Sequence, residues 1–404
     1  MARQGMDLNN LDKSNWQTYR FDQIAKNISE RVDPNNTDLE VYIGLEHIDP
    51  ESIHIKRTGT PDDVNGQKLR CYPGDVIFGR RRTYQRKAAI VTTDGFCSAH
   101  SLVLRATPDV IESKLFPFFL HSDLFMHRAI DISVGSLSPT INWGTLKNQE
   151  FLLPPKNQQA QLAELLWAMD EVVENDLKLK SSNSNFFEAT RNSVFALNKS
   201  GHHLNVLNDD QYLNKTFSQI LKIKMLNGIY KPKEFQGKGE RMINMGELFA
   251  YPVITDEEMS LISLTDKEKE QFLVDEGDLI FARRSLVVEG AGRCSIIGRH
   301  HTPMTFESSM IRVRLDSNKV NPKYIYHFLK SDEGKRRIRR IVGFTTVAGI
   351  ASSDLASIKV PIVSIERQNQ ITNYLSMFDT LFLTLISKVS NSKALQKSLI
   401  NQIF

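Results

Sequence analysis

Two stretches of this chain are near copies of each other, and no other feature of the sequence restricts its fold as much. Gly74-Asp-Val-Ile-Phe-Gly-Arg-Arg81 returns as Gly277-Asp-Leu-Ile-Phe-Ala-Arg-Arg284, a shift of 203 with six identities in eight positions. Farther along the shift settles at 209. It carries Arg105 onto Arg314, Phe119-Leu-His-Ser-Asp123 onto Phe328-Leu-Lys-Ser-Asp332, and Arg128 onto Arg337. The same shift carries Gln159, Gln161, Leu166 and Asp170 onto Gln368, Gln370, Leu375 and Asp379. A unit of some 200 residues is therefore written twice, with six residues inserted in the second copy between Arg284 and Arg314. That length is too great for a solenoid repeat and suits a domain followed by a linker.

Each copy closes in a helical pattern. Apolar residues fall at Leu162, Leu165/Leu166, Met169 and Val172/Val173 in the first, and at Ile371, Tyr374/Leu375, Phe378, Leu381/Phe382, Leu385 and Val389 in the second. This is the three-four spacing of an amphipathic or coiled-coil helix. After a polar stretch both regain apolar residues, at Phe186, Phe187, Val194 and Leu197 and at Leu395, Leu399 and Ile403, with no Pro or Gly between. About 40 helical residues would reach roughly 60 Å. A stripe that long outruns its own domain and needs a cover, and the sister helix is the obvious one. The spacing thus predicts a two-helix coiled coil joining two similar domains.

The globular parts read as mixed α+β. Val41–Leu45, Val76–Phe78, Leu102–Leu104 and Met310–Leu315 look like strands, and helical stretches around 112–131 and 322–341 interrupt them. No run approaches the roughly 18 apolar residues of a membrane span, and the amino terminus does not read as a secretory signal. Cys71, Cys97 and Cys294 are widely spaced and odd in number, which points to a reducing cytoplasm and away from disulfides or a zinc site.

Motifs for chemistry are missing. There is no phosphate-binding G-x-x-x-x-G-K-[ST], no G-x-S-x-G, no H-E-x-x-H and no N-P-P-[YF]. Gly237-Lys-Gly239 and Gly290-Ala-Gly292 lack a third glycine, and the His202-His203 and His300-His301 pairs read as loop residues. Gly74-Asp75 and Gly277-Asp278 read as turns, the Gly supplying positive φ and the Asp bonding its own backbone. No catalytic or metal-ligating residue is expected.

What remains is clustered base. Arg80, Arg81, Arg82, Arg86 and Lys87, with Tyr84 among them, follow a predicted strand without an acidic neighbour, and Arg283-Arg284 holds the same place in the second copy. A second cluster, including Arg336 and Arg337, falls on a predicted helix. The net charge of +4 is too mild to name a partner, and most charge runs are solvated surface. Recurrence at one point of a duplicated domain nevertheless favours arginines that fork onto phosphates or guanine edges of duplex DNA.

In this organisation the sequence resembles the specificity subunits of type I restriction–modification systems over nearly its whole length. The resembling pieces are Trp16-Gln-Thr-Tyr-Arg-Phe-Asp-Gln-Ile24, Tyr42-Ile-Gly-Leu-Glu-His-Ile48 and the duplicated Gly-Asp strands. Leu146–Pro155 and Leu355–Pro361 run into the Gln-containing helices, and Asn227–Pro232, Phe235–Gly239 and Ile243–Phe249 resemble the opening of a family domain. The second opening lacks the usual Trp, and Ser285–Glu289 is less basic than its counterpart.

The resemblance implies a target-recognition domain over 1–155, a central spacer helix over 156–198, a second recognition domain over 199–363 and a carboxy-terminal spacer helix over 364–404, with the two helices forming an antiparallel coiled coil in a pseudo-twofold duplicated α+β chain. It implies a chain without chemistry of its own that reads a bipartite double-stranded target in the cytoplasm. Two methylation subunits binding S-adenosylmethionine, and restriction/translocase subunits using ATP and Mg²⁺, would be its partners. Gln159, Gln161, Asp170, Gln368, Gln370 and Asp379 stand either for partner contacts or for polar faces of the coil. The competing readings are a self-contained DNA methyltransferase or nuclease, and a coiled-coil scaffold that binds only proteins.

Overall fold

The architecture is described by a computed structural model over residues 11–196, 212–344 and 346–404. Leu197, His202-His203, the 198/199 boundary and the expected domain start near 205 lie outside the described residues. The chain divides into two units, Met1–Leu179 with Ile386–Phe404, and Lys180–Leu385.

In unit 1 a four-stranded antiparallel sheet runs in the order Ala25–Ile28, Ser101–Ala106, Val76–Gly79, Ala88–Ile90. A second four-stranded sheet orders Arg31–Val32, Lys68–Cys71, Gly95–Cys97 and Tyr42–Ile43. Strand Val76–Gly79 is buried throughout, which is why it reads as a continuous apolar run and not an alternating one. The domain opens and closes on one antiparallel pair, Gln17–Arg20 against Glu150–Leu153.

Unit 2 repeats the plan. Leu279–Ala282 lies between Met310–Val313 and Cys294–Ile297 in a five-stranded sheet completed by Leu226–Asn227 and Val253–Ile254. Leu213–Thr216 pairs with Lys359–Ile362 as the opening and closing strands. Phe217 and Ile220 are buried as Phe21 and Ile24 are. Tyr212 stands where the first copy has Trp16, five residues before that phenylalanine. Strand registers place the six-residue insertion. Val76 pairs with Ile90 and Leu279 with Ile296, a shift already grown from 203 to 206. Val76 also pairs with Leu104 and Leu279 with Val313, where it has reached 209. Half of the insertion therefore lies in the hairpin after the arginine pair.

Both Gly-Asp turns hold. Gly74 and Gly277 adopt φ of 91° and 89°, and Asp75 and Asp278 accept the backbone N–H of Tyr72 and Asp275 at 3.0 and 2.9 Å. Each aspartate also forms a bidentate pair with the arginine carried by the 209 shift, Arg105 or Arg314. The expected helical stretches are each broken in two, into Phe116–His121 and Asp123–Asp131, and into Pro322–Lys330 and Asp332–Arg339. The cause is a repeated serine. Ser122 and Ser331 are extended, cap the following helix, and donate their hydroxyls back to Phe119 and Phe328 carbonyls. All three cysteines are free and buried, and strand pairing brings the Cys97 thiol onto Cys71.

The long helices span Lys156–Phe195 and Ile365–Ile403. Within unit 1 they run antiparallel, with Gln396 donating to Asp170 at 2.9 Å and Ser392 to Asp176 at 2.6 Å. Within unit 2 they do so again, Phe187 stacking on Phe378 at 5.3 Å. The cover is partial: Leu162, Leu166, Val173, Ile371, Leu375 and Leu385 are buried, whereas Leu165, Val172, Leu179, Tyr374 and Leu381 stay exposed.

The far end of each helix docks by the same contacts. In unit 2, Asn192 exchanges two hydrogen bonds with Asp332 (2.7 and 2.9 Å), and Phe195 sits edge-on to Phe328. In unit 1, Asn401 exchanges two with Asp123 (2.6 and 2.8 Å), and Phe404 sits edge-on to Phe119. No helix is long and apolar enough to cross a membrane among the described residues.

Candidate nucleic-acid interface

The basic loop is the connection between two buried strands, so its position is fixed by the sheet beneath it. Arg80 donates its N–H to His100 O (3.2 Å) and accepts from Ile141 N (2.9 Å); Arg283 donates to Ser309 O (2.8 Å) and accepts from Ile350 N (3.0 Å). These partners correspond under the 209 shift, so the two loops are anchored alike. Both arginines are half-buried, and the Nε of each is buried without a hydrogen-bond partner among the described residues. Burial, with Arg284 alongside, lowers the affinity of the Arg283 guanidinium for its proton.

The next arginine enters a small ribbon. Arg81 bridges to Thr140, which pairs with Val134; Arg284 pairs with Gly349, which pairs with Gly343. The Arg81 guanidinium lies 3.3 Å from both Ser138 Oγ and His100 Nε2. Burial and the fields of Arg81 and Arg80 hold the His100 imidazole below its usual range. Arg82, in the left-handed region at φ 55°, and Tyr84 are exposed. Together these residues present a positive surface with one aromatic face in unit 1, and a smaller one in unit 2.

Two residues expected in the DNA-facing loop point elsewhere. Arg86 donates to His121 O and pairs with Asp123 Oδ1, both at 2.7 Å, while Lys87 Nζ donates to Leu45 O at 2.6 Å. In this structure they tie the loop to the domain. Arg337 is likewise engaged, donating to Glu333 Oε1 and Lys359 O at 2.6 Å with its guanidinium over Phe328. Arg336 shares Glu333 but keeps half its side chain in solvent.

Among the helix residues, Gln159 and Gln368 are buried. Gln159 Nε2 donates to Val110 O and Pro154 O, and Gln368 Nε2 to Val363 O, while their Oε1 atoms accept from Glu112 N and Asn321 N. Both therefore seat the start of their own helix. Asp170 is buried between His54 (2.6 Å) and Gln396; that hydrogen bond raises the His54 pKa. In unit 2, burial pushes Asp379 up to about 6 and the facing His327 down to about 3. Gln161 and Gln370 are exposed.

The remaining histidine pair is less bare than its sequence suggests, since Asp256 accepts from His301 Nδ1 at 2.7 Å. Among the described residues no three His, Cys, Asp or Glu gather as a metal site would require. The sequence reading missed the ribbons at 134–140 and 343–349, which lack the alternation of a strand; only Ile141 and Ile350 hint at them. It also missed the Asn192/Asn401 and Phe195/Phe404 docking pairs, which the shift of 209 would have found.

A family model for the type I restriction modification DNA specificity domain matches the chain twice, over residues 13–181 and 196–392. The chain is 28% identical over 171 residues to the type I restriction enzyme EcoDI specificity subunit of Escherichia coli, an alignment covering 41% of this chain and 37% of that subunit. It is 20% identical over 365 residues to the EcoKI specificity subunit of Escherichia coli (strain K12), covering 89% and 74%. The type I restriction–modification system S subunit from M. genitalium superposes with a TM-score of 0.57 at 15% identity over 96% of each chain, a likeness of fold. Two consecutive matches taking in most of the sequence, on two units built alike, lead to one conclusion: the chain belongs to the type I restriction–modification DNA specificity family, whose members serve recognition and are not themselves enzymes.

Proposed function

We propose that this chain reads a two-part duplex DNA target, one part with each unit, through Arg80, Arg81, Arg82 and Tyr84 in unit 1 and Arg283, Arg284 and Arg336 in unit 2. The observation that carries this is the pair of equivalent arginines, Arg80 and Arg283, each with a buried Nε that lacks a partner among the described residues. Leaving such a donor unsatisfied costs about 1–3 kcal/mol. Its retention at the same point of both copies, at the foot of each basic loop, supports a role for these two guanidinium groups beyond solvated surface. A fork of donors fits guanine O6/N7 or a phosphate.

The long helices are the elements whose length would set the spacing between the two parts of the target. Their exposed apolar residues, Leu165 and Val172 in unit 1 and Tyr374 and Leu381 in unit 2, correspond under the 209 shift and suit two copies of one partner. We assign them to two methylation subunits, with Gln161 and Gln370 beside them. S-adenosylmethionine would belong to those subunits, ATP and Mg²⁺ to restriction subunits, and the assembly to the cytoplasm.

The test is a pair of double variants in the complex reconstituted with methylation subunits. Arg80→Ala with Arg81→Ala should weaken binding through one half-site only, and Arg283→Ala with Arg284→Ala through the other, each by about 10- to 100-fold if a bidentate base contact is lost. Equal affinity for cognate and scrambled duplex, before and after the changes, would refute the reading.

A further inference from the structure

Beside Arg80 and Arg283, whose Nε atoms lack a partner among the described residues, runs a stretch that carries no charge. Residues 132–141 and 341–350 contain neither acid nor base, although they are clamped to the most basic loops of their units. In unit 1, Val134 and Thr140 exchange both backbone hydrogen bonds at 3.0 Å, and Thr140 in turn bridges to Arg81. The turn between them holds Leu137, 93% exposed. In unit 2, Phe344 pairs with Ala348 next to the Gly349–Arg284 pair and is 63% exposed; Leu286, on the adjoining loop, is 89% exposed. A lone exposed apolar side chain needs no explanation. Leu137 and Phe344 are not equivalent positions, since the 209 shift carries Leu137 onto Thr346 and Gly135 onto Phe344. Yet each copy sets an exposed large apolar side chain on the uncharged stretch beside its arginines, and that recurrence does need an explanation.

An uncharged ribbon contributes nothing to phosphate neutralisation, and although its hydroxyls and backbone N–H groups could bond phosphates, a large apolar side chain gains only from apolar surface, which the groove supplies at base edges. The major groove, about 12 Å wide, admits a two-stranded ribbon, and the apolar group displayed there is the 5-methyl of thymine. We propose that Leu137 and Phe344 are specificity residues that pack against thymine methyl groups in the major groove, each within its own half-site. This rests on the DNA reading proposed above.

The experiment uses the full chain in the reconstituted complex, with Leu137→Ala, Phe344→Ala and the wild type. Duplexes carry the cognate target, with deoxyuridine replacing thymidine one position at a time, a change that removes only the methyl group. Wild-type binding should fall about fourfold at one thymine per half-site, the worth of one buried methyl. Leu137→Ala should weaken binding by a similar factor or more and abolish the effect of deoxyuridine in its own half-site alone. The slope of log K against log salt should stay unchanged, because no counterion is released. Unaltered thermal unfolding of the variants confirms that the fold is intact.

Fully additive losses, a changed salt slope or a half-site without an A·T pair would overturn the proposal. So would a kinked duplex with minor-groove protection, which marks a wedge between base steps. Failure of the wild type to distinguish cognate from scrambled duplex would instead bring down the DNA reading itself.

Discussion

The duplicated Asp–Arg pairs allow a prediction with its own internal control. Asp75 and Asp278 are both 1% exposed and both are gripped by two guanidinium nitrogens, yet the two arginines are not equally buried. Arg105 keeps 45% of its side chain in solvent and Arg314 only 19%. Arg314 also pairs with Asp275 at 2.6 Å and donates to Leu273 O at 3.1 Å. Removing one partner of a buried pair costs about 3–5 kcal/mol, whereas an exposed pair is worth about 0–1 kcal/mol. Arg314→Ala strands a buried carboxylate and leaves a carbonyl without that donor, so it should destabilise unit 2 by about 3 kcal/mol. Arg105→Ala opens a path for water to Asp75, and its cost to unit 1 should be nearer 1–2 kcal/mol. Native-state hydrogen exchange in urea, followed at Val76–Gly79 and Leu279–Ala282, reports each unit separately. Raising the salt should shrink the Arg105 effect more than the Arg314 effect. An Arg105→Ala cost equal to or above that of Arg314→Ala, or an Arg314→Ala cost below about 1 kcal/mol, would refute the argument from burial.

Three further outcomes are expected. Gln368→Ala should cost unit 2 about 1–3 kcal/mol in denaturant unfolding, because Asn321 N–H and Val363 C=O lose their partner, while Gln370→Ala on the exposed face should stay within about 0.5 kcal/mol. Asn192→Ala and Asn401→Ala should each speed hydrogen exchange at the end of their own long helix and by similar factors, since the same two bonds are lost; a large effect at one alone would contradict the equivalence. Burial holds His121 down at about 4, with its ring bonded to Ala88 O at 2.7 Å. Above about pH 6.5 the imidazole is neutral folded or unfolded; below it the unfolded chain takes up a proton that the folded state refuses. Stability of unit 1 should therefore fall as pH drops from about 6.5 to 4, by up to about 3 kcal/mol, and His121→Gln should remove that slope from thermal unfolding measured over the same range.

Where the sequence carried its message locally and twice, it could be read. The strand Val76–Gly79, its glycine turn and the arginine that answers Asp75 all announce themselves through a repeated octapeptide and one recurrent Arg. Direction was harder. A run of five cations does not tell which of them turn inward, and Arg86 and Lys87 do so for acceptors at Asp123, His121 and Leu45, distant in sequence. Gln159 and Gln368 both serve packing, a role that recurrence cannot separate from partner binding. The breaks at Ser122 and Ser331 were hidden because the apolar period resumes on either side of them. The ribbons at 134–140 and 343–349 are short, hold several Gly, Ser and Thr residues, and are fixed in part by pairing to Arg81 and Arg284, a non-local cause that no window of sequence contains.

The two docking sites for helix ends have a consequence for how such a chain can change over generations. An Asn three residues before a Phe is received by an aspartate after a serine and by a phenylalanine, whether at Asp123 and Phe119 or at Asp332 and Phe328. The two sockets offer the same receiving groups. A recombination event that exchanged one globular half for a foreign one would keep this docking wherever the incoming half carried those few positions, leaving the rest of its loops free to differ.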